Sequence, residues 1–359
     1  MAMLRVMEKT WSRNILFSVL VELTYRCNLD CFFCYNDLSL KGRPLSDEQY
    51  FTFFQHLAEL QVMNLTFTGG EPLAHPSFLR LGAKASELGF VVRIKSNGHA
   101  FSGELARQIR DQVDPFLIEV SLHGADAETH ERQTRIPGSF DRLLTNLGEM
   151  RKLGFRVKLN GTLTRWNENQ IEDMFALADH LGCVFSLSPT VTPRDDGDTS
   201  PMSIAPSEDG VRRLYRFLDE RVPDEDMSPV PGTCTGTPGT PGTPGMKKNC
   251  GAGASGLAVD PFGAVYPCVQ WRRPLGNLHD QSIHEIWTGS KDLDEIRAVN
   301  SAARRQIDDL GEEGQGVAHC MGLSEEKTGD PLSLDPEAMR QGEILRQVRR
   351  ERGGLPIVS

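Results

Sequence analysis

Cys27-Asn28-Leu29-Asp30-Cys31-Phe32-Phe33-Cys34 stands directly after an apolar run, Leu16–Leu23. Three thiolates packed into so short a loop can hold three irons of a cubane cluster, which leaves the fourth iron without a protein ligand. Zinc also accepts thiolates. A structural zinc site, however, wants four ligands, usually as two spaced pairs, and the next cysteine is Cys183. The spacing therefore favours an iron–sulfur cluster whose open iron takes something other than protein.

The rest of the chain is compatible with that chemistry. Its 359 residues exceed one average domain, and its hydrophobic (39%) and charged (25%) fractions suit an ordinary globular protein. A formal net charge of −10 argues against a broad nucleic-acid-binding surface. No run approaches the roughly 20 apolar residues of a membrane span, and Met1 to Arg13 carries no export signal. A cytoplasmic location is expected, where clustered cysteines hold metal or do redox chemistry more often than they form disulfides. Cys183, at the end of a helical stretch, reads as a buried structural cysteine.

From Ile15 to Pro189, β-rich runs alternate with amphipathic segments. The strand candidates are Leu16–Leu23, Met63–Phe67, Phe90–Lys95, Phe116–Leu122, Arg156–Leu163 and Val184–Leu187. The helical ones are Asp47–Leu60, Pro76–Leu88, Gly103–Gln112, Phe140–Leu153 and Asn169–Leu181. Ser46 followed by Gln49 predicts a capping box at the first helix. Repeated β-α units predict a parallel sheet with outer helices, and six of them a partial (β/α)6 TIM-like barrel with function at the C-terminal strand ends. A helix at Ser207–Glu220 follows, then a Pro-rich stretch and GTPGTPGTPG at 236–245, which is too short for a triple helix and reads as a tether.

The motifs at the strand ends carry a resemblance. C-x3-C-x2-C with Phe33 is similar to the cluster loop of the radical S-adenosylmethionine (SAM) superfamily, in which SAM completes the open iron. Gly69-Gly70-Glu71-Pro72 ends the second strand and resembles that family's GGEP motif; glycine there lets backbone approach a ligand, and the carboxylate suits an ammonium. Ser96-Asn97-Gly98 ends the third strand, Ser121-Leu122-His123-Gly124 the fourth, and Asn160-Gly161-Thr162-Leu163 lies on the fifth. The resemblance implies a 4Fe–4S cluster on Cys27, Cys31 and Cys34. It also implies SAM contacts from Gly69, Gly70, Glu71, Pro72, Ser96, Asn97, Ser121 and Asn160, with Arg135 a candidate partner for the SAM carboxylate. His123 is a candidate proton donor or a plain turn residue.

Beyond the tether, Cys250, Cys268 and the Val265-Tyr266-Pro267-Cys268 and Leu275-Gly276-Asn277-Leu278 stretches resemble the opening of SPASM or twitch modules. Those modules hold auxiliary 4Fe–4S clusters. The dense cysteine run that continues a full SPASM module is missing, and Cys320 alone follows. One auxiliary cluster is expected, on Cys250, Cys268 and Cys320, with Cys234 completing the set or remaining a free thiol. The expected organisation is barrel 1–222, linker 223–249, module 250–325 and polar tail 326–359, with Arg346–Arg352 solvated.

The resemblance implies an oxidoreductase that cleaves SAM to a 5′-deoxyadenosyl radical and abstracts hydrogen from a substrate. The leading expectation is a ribosomally made peptide undergoing oxidation, cross-linking or epimerisation. The alternative is a small molecule, namely a sugar, an antibiotic or a tetrapyrrole precursor. An iron–sulfur scaffold is disfavoured by the intact SAM motifs. Fewer than twenty residues precede the first strand, so leader recognition would need a separate partner or another surface. A flavodoxin- or ferredoxin-type reductant is implied; nucleic acid and membrane partners are not.

Overall fold

The computed structural model describes residues 2–37, 39–221 and 246–352. Cys234 and the 236–245 repeat lie outside them. The barrel elements run α1 (Ala2–Ser12), β1 (Ser18–Thr24), α2 (Asp47–Glu59), β2 (Asn64–Gly69), α3 (Phe78–Glu87), β3 (Val91–Ser96), α4 (Gly103–Gln108), β4 (Leu117–Ser121), α5 (Ala127–Thr134), α6 (Ser139–Lys152), β5 (Val157–Thr162), α7 (Ile171–His180), β6 (Val184–Ser188) and α8 (Glu208–Arg221). The second part runs β7 (Gly256–Val259), β8 (Ala264–Tyr266), β9 (Gly276–Asn277), α9 (Ile283–Gly289), α10 (Lys291–Asp309), α11 (Met321–Thr328) and α12 (Pro336–Glu351). The capping box expected at Ser46 and Gln49 is present at the start of α2.

The nine strands of the described residues form one sheet in the order β6-β5-β4-β3-β2-β1-β7-β8-β9. β1 to β6 are parallel, as the β-α repeat dictates, and β6 is an open edge, so the barrel is partial. The cysteine module is not a separate body on a tether. β7 pairs parallel with β1, Ser18 against Gly256 through Val21 against Val259, and the β7-β8-β9 meander continues the barrel sheet.

Alternation along the strands sorts residues between two environments. Val19, Val21, Leu65, Phe67, Val92, Ile94, Ile118, Val120 and Leu159 are buried with helix residues such as Leu57, Leu81, Leu143 and Leu147. The alternate positions, Glu22, Thr66, Thr68, Arg93, Lys95, Glu119, Ser121, Lys158 and Asn160, therefore line the inner face, which is polar.

The C-terminal segment corrects the expectation of a solvated tail. On α12, Ile344, Leu345 and Val348 are buried, and the helix packs against α8. The Arg349 and Arg352 guanidiniums pair with Asp219, and Arg346 donates to the Glu313 and Gln315 carbonyls at 2.7 Å each. A short apolar stripe set among arginines suffices once a partner helix covers it. The N-terminal helix is used likewise: Met7 and Trp11 bury with Met246 against Cys250.

Candidate functional site

The loop 27–34 leaves β1 at its C-terminal end and is fastened from two sides. The C-terminal turn of α5 offers carbonyls: the Asp30 N–H donates to Thr134 (3.1 Å) and the Phe32 N–H to Gln133 (3.0 Å). These use helix-end acceptors that would otherwise lack partners. Arg135, at φ 58, turns back to pair with Asp30 at 3.1 Å. Its guanidinium lies 4.7 Å from the Phe32 ring, whose other neighbour is Trp166 at 5.1 Å. In this structure Arg135 thus grips the cysteine loop, a role its sequence position did not disclose. Neither did the sequence single out α5, which is short and polar and has no apolar stripe to read.

Gly69-Gly70-Glu71-Pro72 braces the root of the same loop. Gly69 has φ 131, and a Cβ there would lie 2.3 Å from the Thr24 carbonyl; at Gly70 it would lie 2.6 Å from that of Arg26. The glycines thus let backbone approach the start of the cysteine loop, beyond the approach to a ligand expected from sequence. The Gly70 N–H donates to Thr24 and the Glu71 N–H to Arg26, at 2.7 and 2.9 Å. Pro72 opens a single 3₁₀ turn for which Glu71 is the cap.

Glu71 is 2% exposed, and its carboxylate accepts from Ser96 Oγ (2.9 and 3.0 Å), the Asn97 N–H (2.9 Å) and the Leu73 N–H (3.1 Å). Burial raises its pKa to about 7 despite those donors. Asn97 continues the chain of contacts, its amide donating to Asn28 Oδ1 at 2.7 Å and lying 3.8 Å from Cys27 Sγ. The Leu29 N–H also points at that sulfur, at 3.4 Å. Glu71, Ser96 and Asn97 therefore form a brace that ends on a cluster-loop cysteine.

His123 sits under the loop. Its ring meets Phe33 edge-on at 4.6 Å and stacks on His130 at 5.9 Å. Burial, with His130 beside it, lowers its pKa to about 3, which favours the neutral imidazole. Gln133 and Asn167 amides hold its carbonyl at 2.7 and 3.1 Å.

Cys27, Cys31 and Cys34 are half-buried and unpaired. Burial raises the pKa of each thiol, that of Cys34 to about 11, and the neighbouring thiols of the loop add to the effect at Cys31 and Cys34. Three crowded, desolvated thiols become stable thiolates only beside positive charge, which is the fit that iron provides. Among the described residues no three His, Cys, Asp or Glu side chains converge as ligands of a single metal ion.

A second set forms in the module. Cys250, Cys268 and Cys320 lie within electrostatic reach of one another, and burial raises each thiol's pKa, that of Cys320 to about 11. Asn300, fully buried on α10, clamps the first of them. Its Oδ1 accepts from the Asn249 and Cys250 N–H groups at 2.8 and 3.1 Å, and its Nδ2 donates to the Cys250 and Ala252 carbonyls at 2.9 Å each. Cys320 caps α11, whose Gly322 lies so close to the Gln270 carbonyl that a Cβ would overlap it. The structure thus brings together three of the four cysteines expected at this site, while buried Cys183 packs in the apolar core.

The inner face of the barrel also carries charged groups that sequence reading missed, Arg93, Lys95 and Glu119. Asn160, expected at SAM, donates to Glu119 Oε2 at 2.8 Å, and Ser121, also expected at SAM, is its register partner. Arg93 pairs with Glu119 at 2.9 Å and Lys95 at 3.8 Å. Burial opposes ionisation of Glu119, but Lys95 and Arg93 outweigh it and hold the carboxyl below its usual range. Arg272 forks onto Glu22 and reaches Asp195.

A partial β/α barrel with a three-cysteine loop at one strand end, and a second three-cysteine set on a continuation of the same sheet, defines an iron–sulfur enzyme that binds SAM. The chain belongs to the radical SAM superfamily: residues 21–178 match that family, and residues 250–310 match the SPASM iron–sulfur cluster-binding domain. Its cofactors are accordingly a 4Fe–4S cluster, SAM and an auxiliary iron–sulfur cluster. It is 30% identical to mycofactocin maturase MftC of Mycobacterium tuberculosis over 350 residues, covering 92% of this chain and 84% of that one. It is 27% identical to the AdoMet-dependent heme synthase of Methanosarcina barkeri over 338 residues (88% and 94%), and 25% identical to the PqqA peptide cyclase of Ruegeria pomeroyi over 350 residues (90% and 87%). The fold superposes on AdoMet-bound anSMEcpe with a TM-score of 0.70 at 15% identity, covering 94% of this chain and 97% of that one. Among the described residues no helix is long and apolar enough to cross a membrane.

Proposed function

We propose that this radical SAM enzyme oxidatively modifies a ribosomally made peptide held on the inner face of the barrel. The observation that carries the reading is the polar inner face of an unclosed barrel, flanked by two separate three-cysteine sets. An open edge at β6 leaves room for a chain to enter. The likeness to a peptide cyclase and to a maturase supports the same substrate class.

In this reading residues 1–222 are the catalytic barrel and 250–325 the auxiliary module. Cys27, Cys31 and Cys34 hold the SAM-binding cluster, and Cys250, Cys268 and Cys320 hold the auxiliary one with Cys234 as fourth ligand. When bound, the first cluster and SAM supply one-electron cleavage of SAM and hydrogen abstraction from the substrate. The chain's own residues do the positioning. Glu71, Ser96 and Asn97 brace the loop root, Arg135, Phe32 and Trp166 fix its tip, and Phe33 over neutral His123 closes it to water. Gly69, Gly70 and Pro72 present backbone toward SAM, while Ser121, Asn160 and Arg135 supply polar contacts to it. A flavodoxin- or ferredoxin-type protein supplies electrons, and the peptide leader is recognised by a separate protein or by another surface of this one.

Small-molecule oxidation is the second reading, favoured by the likeness to a heme synthase. The two separate in one assay. Reconstituted enzyme with SAM and reductant is offered the short peptides encoded beside its gene, and products are read by mass spectrometry. A mass change in one peptide supports the first reading; no change in any, with turnover of a small metabolite, rejects it.

A further inference from the structure

The inner face of the barrel carries an uneven set of charges. Thr66 on β2 is in register with Arg93 on β3, Lys95 on β3 with Glu119 on β4, and Glu119 with Lys158 on β5. Register partners in a parallel sheet share a face, so these side chains meet on the inner side. Three cations gather around one carboxylate. Glu119, 7% exposed on its side chain, accepts from Arg93 at 2.9 Å and from Asn160 at 2.8 Å, with Lys95 at 3.8 Å. Lys158 has no ion pair among the described residues. Glu22 lies on the same face, but it is held by Arg272 at 2.8 Å, which also pairs with Asp195.

Polar capacity is also left over at this place. The hydroxyl of Thr66, 1% exposed, has no hydrogen-bond partner, and neither does Arg93 Nε. Buried polar atoms are rarely left unpaired unless something else occupies the space. Charged side chains so deep in a sheet are costly unless compensated, and the protein supplies only one compensating carboxylate. This layer lies one strand repeat deeper than Ser121 and Asn160, the positions expected at SAM, and Lys95 lies within electrostatic reach of Cys268. The layer thus adjoins Cys268 on one side and the strand-end positions expected at SAM on the other.

We propose that Lys158, with Lys95, Arg93 and Thr66, forms a receptor for a carboxylate of the substrate. The peptide reading enters only in naming the anion, since the anionic groups of an unmodified peptide are carboxylates. The receptor itself follows from the charge count on the inner face. Its competitor is that the cations merely offset the negative charge of the auxiliary cluster.

Acetate separates the two. Reconstituted holoenzyme, reduced so that its clusters are paramagnetic, is titrated with acetate, and relaxation of the methyl protons is followed by NMR, with acetamide as the neutral control. Wild type is expected to enhance acetate relaxation but not acetamide relaxation. Lys158→Met should lower the acetate effect about tenfold, as loss of one charge-assisted contact implies. Lys158→Arg should restore most of it. Iron content and the visible cluster spectrum of each variant establish that it has folded. An acetate effect equal in wild type and Lys158→Met overturns the proposal, as does a shifted auxiliary-cluster potential with acetate binding unchanged. Relaxation of inorganic phosphate without that of acetate overturns the assignment to carboxylate. A positive acetate result beside a failed peptide assay would leave the receptor standing and remove the peptide reading, so the two fail separately.

Discussion

Arg272 forks onto the fully buried carboxylate of Glu22 at 2.8 and 2.9 Å, joining β1, which leads into the Cys27 loop, to the turn that follows Cys268. The Tyr25 hydroxyl donates to the same carboxylate at 3.1 Å, and Asp195 takes the other side of the guanidinium at 2.8 Å. The pair therefore sets how the two cysteine sites sit relative to each other. Removing one partner strands a buried charge. Arg272→Met is expected to cost about 3–5 kcal/mol, and Arg272→Met with Glu22→Gln less than Arg272→Met alone. Urea denaturation of the three proteins checks this, and equal losses in the single and double variants would contradict it.

Gly70 leaves no room for a methyl group. A Cβ would lie 2.6 Å from the Arg26 carbonyl and 2.7 Å from that of Tyr25, both backbone at the root of the cysteine loop. Gly70→Ala should displace that root. Deoxyadenosine formation is expected to fall about a hundredfold, the order of loss that a small misplacement at a reacting centre produces. Chromatography of the product measures it.

Arg135 closes α5 in the left-handed region at φ 58, so its substitution has two separable parts. Arg135→Gly keeps the backbone turn and loses the grip on Asp30 and Phe32; Arg135→Ala loses the grip and retains the backbone strain. The glycine variant should be the more stable of the two by about 1 kcal/mol. Both should hold less iron at the first site than wild type, read as iron per chain after desalting.

Glu71 gives the fold a pH dependence of defined sign. Its carboxyl titrates at about 7 in the folded chain against an ordinary 4.5, because burial disfavours the charge. Between those values the folded chain binds the proton more readily than the unfolded one, so stability falls as pH rises from 4.5 to about 7. Glu71→Gln should flatten that stretch of the stability profile. Denaturation midpoints across the window test it, and an unchanged slope would contradict it.

Asn300 is the clamp of the auxiliary site, holding both backbone groups of Cys250. Asn300→Ala leaves several buried backbone groups unpaired and should cost about 2–4 kcal/mol. The second cluster should be lost while the first is kept, seen as loss of one of the two reduced-cluster signals by electron paramagnetic resonance.

Much of this was legible in the order of residues. The strands announced themselves as short β-rich runs between amphipathic segments, and the Cys27 loop because three thiols so close have few uses. The braces were not. Glu22 and Arg272 are far apart in sequence, and nothing local marks either for the other. Arg93, Lys95, Glu119 and Lys158 alternate with apolar residues, a pattern that also describes a sheet face turned to water. Only the arrangement of the strands as a partial barrel turns that face inward. Ile344, Leu345 and Val348 were hidden among arginines, and their burial depends on α8. Glu71 was singled out as a carboxylate for an ammonium, but nothing local showed that it also accepts from Ser96 and Asn97.

The most direct test counts iron. Wild-type protein and a Cys27→Ala/Cys31→Ala/Cys34→Ala variant are reconstituted anaerobically, assayed for iron and sulfide, and given SAM and dithionite. Two cubane sites predict about eight irons in wild type and about four in the variant, with deoxyadenosine formed by wild type alone. Equal iron in both proteins, or deoxyadenosine from the variant, would contradict the assignment of the three-cysteine loop.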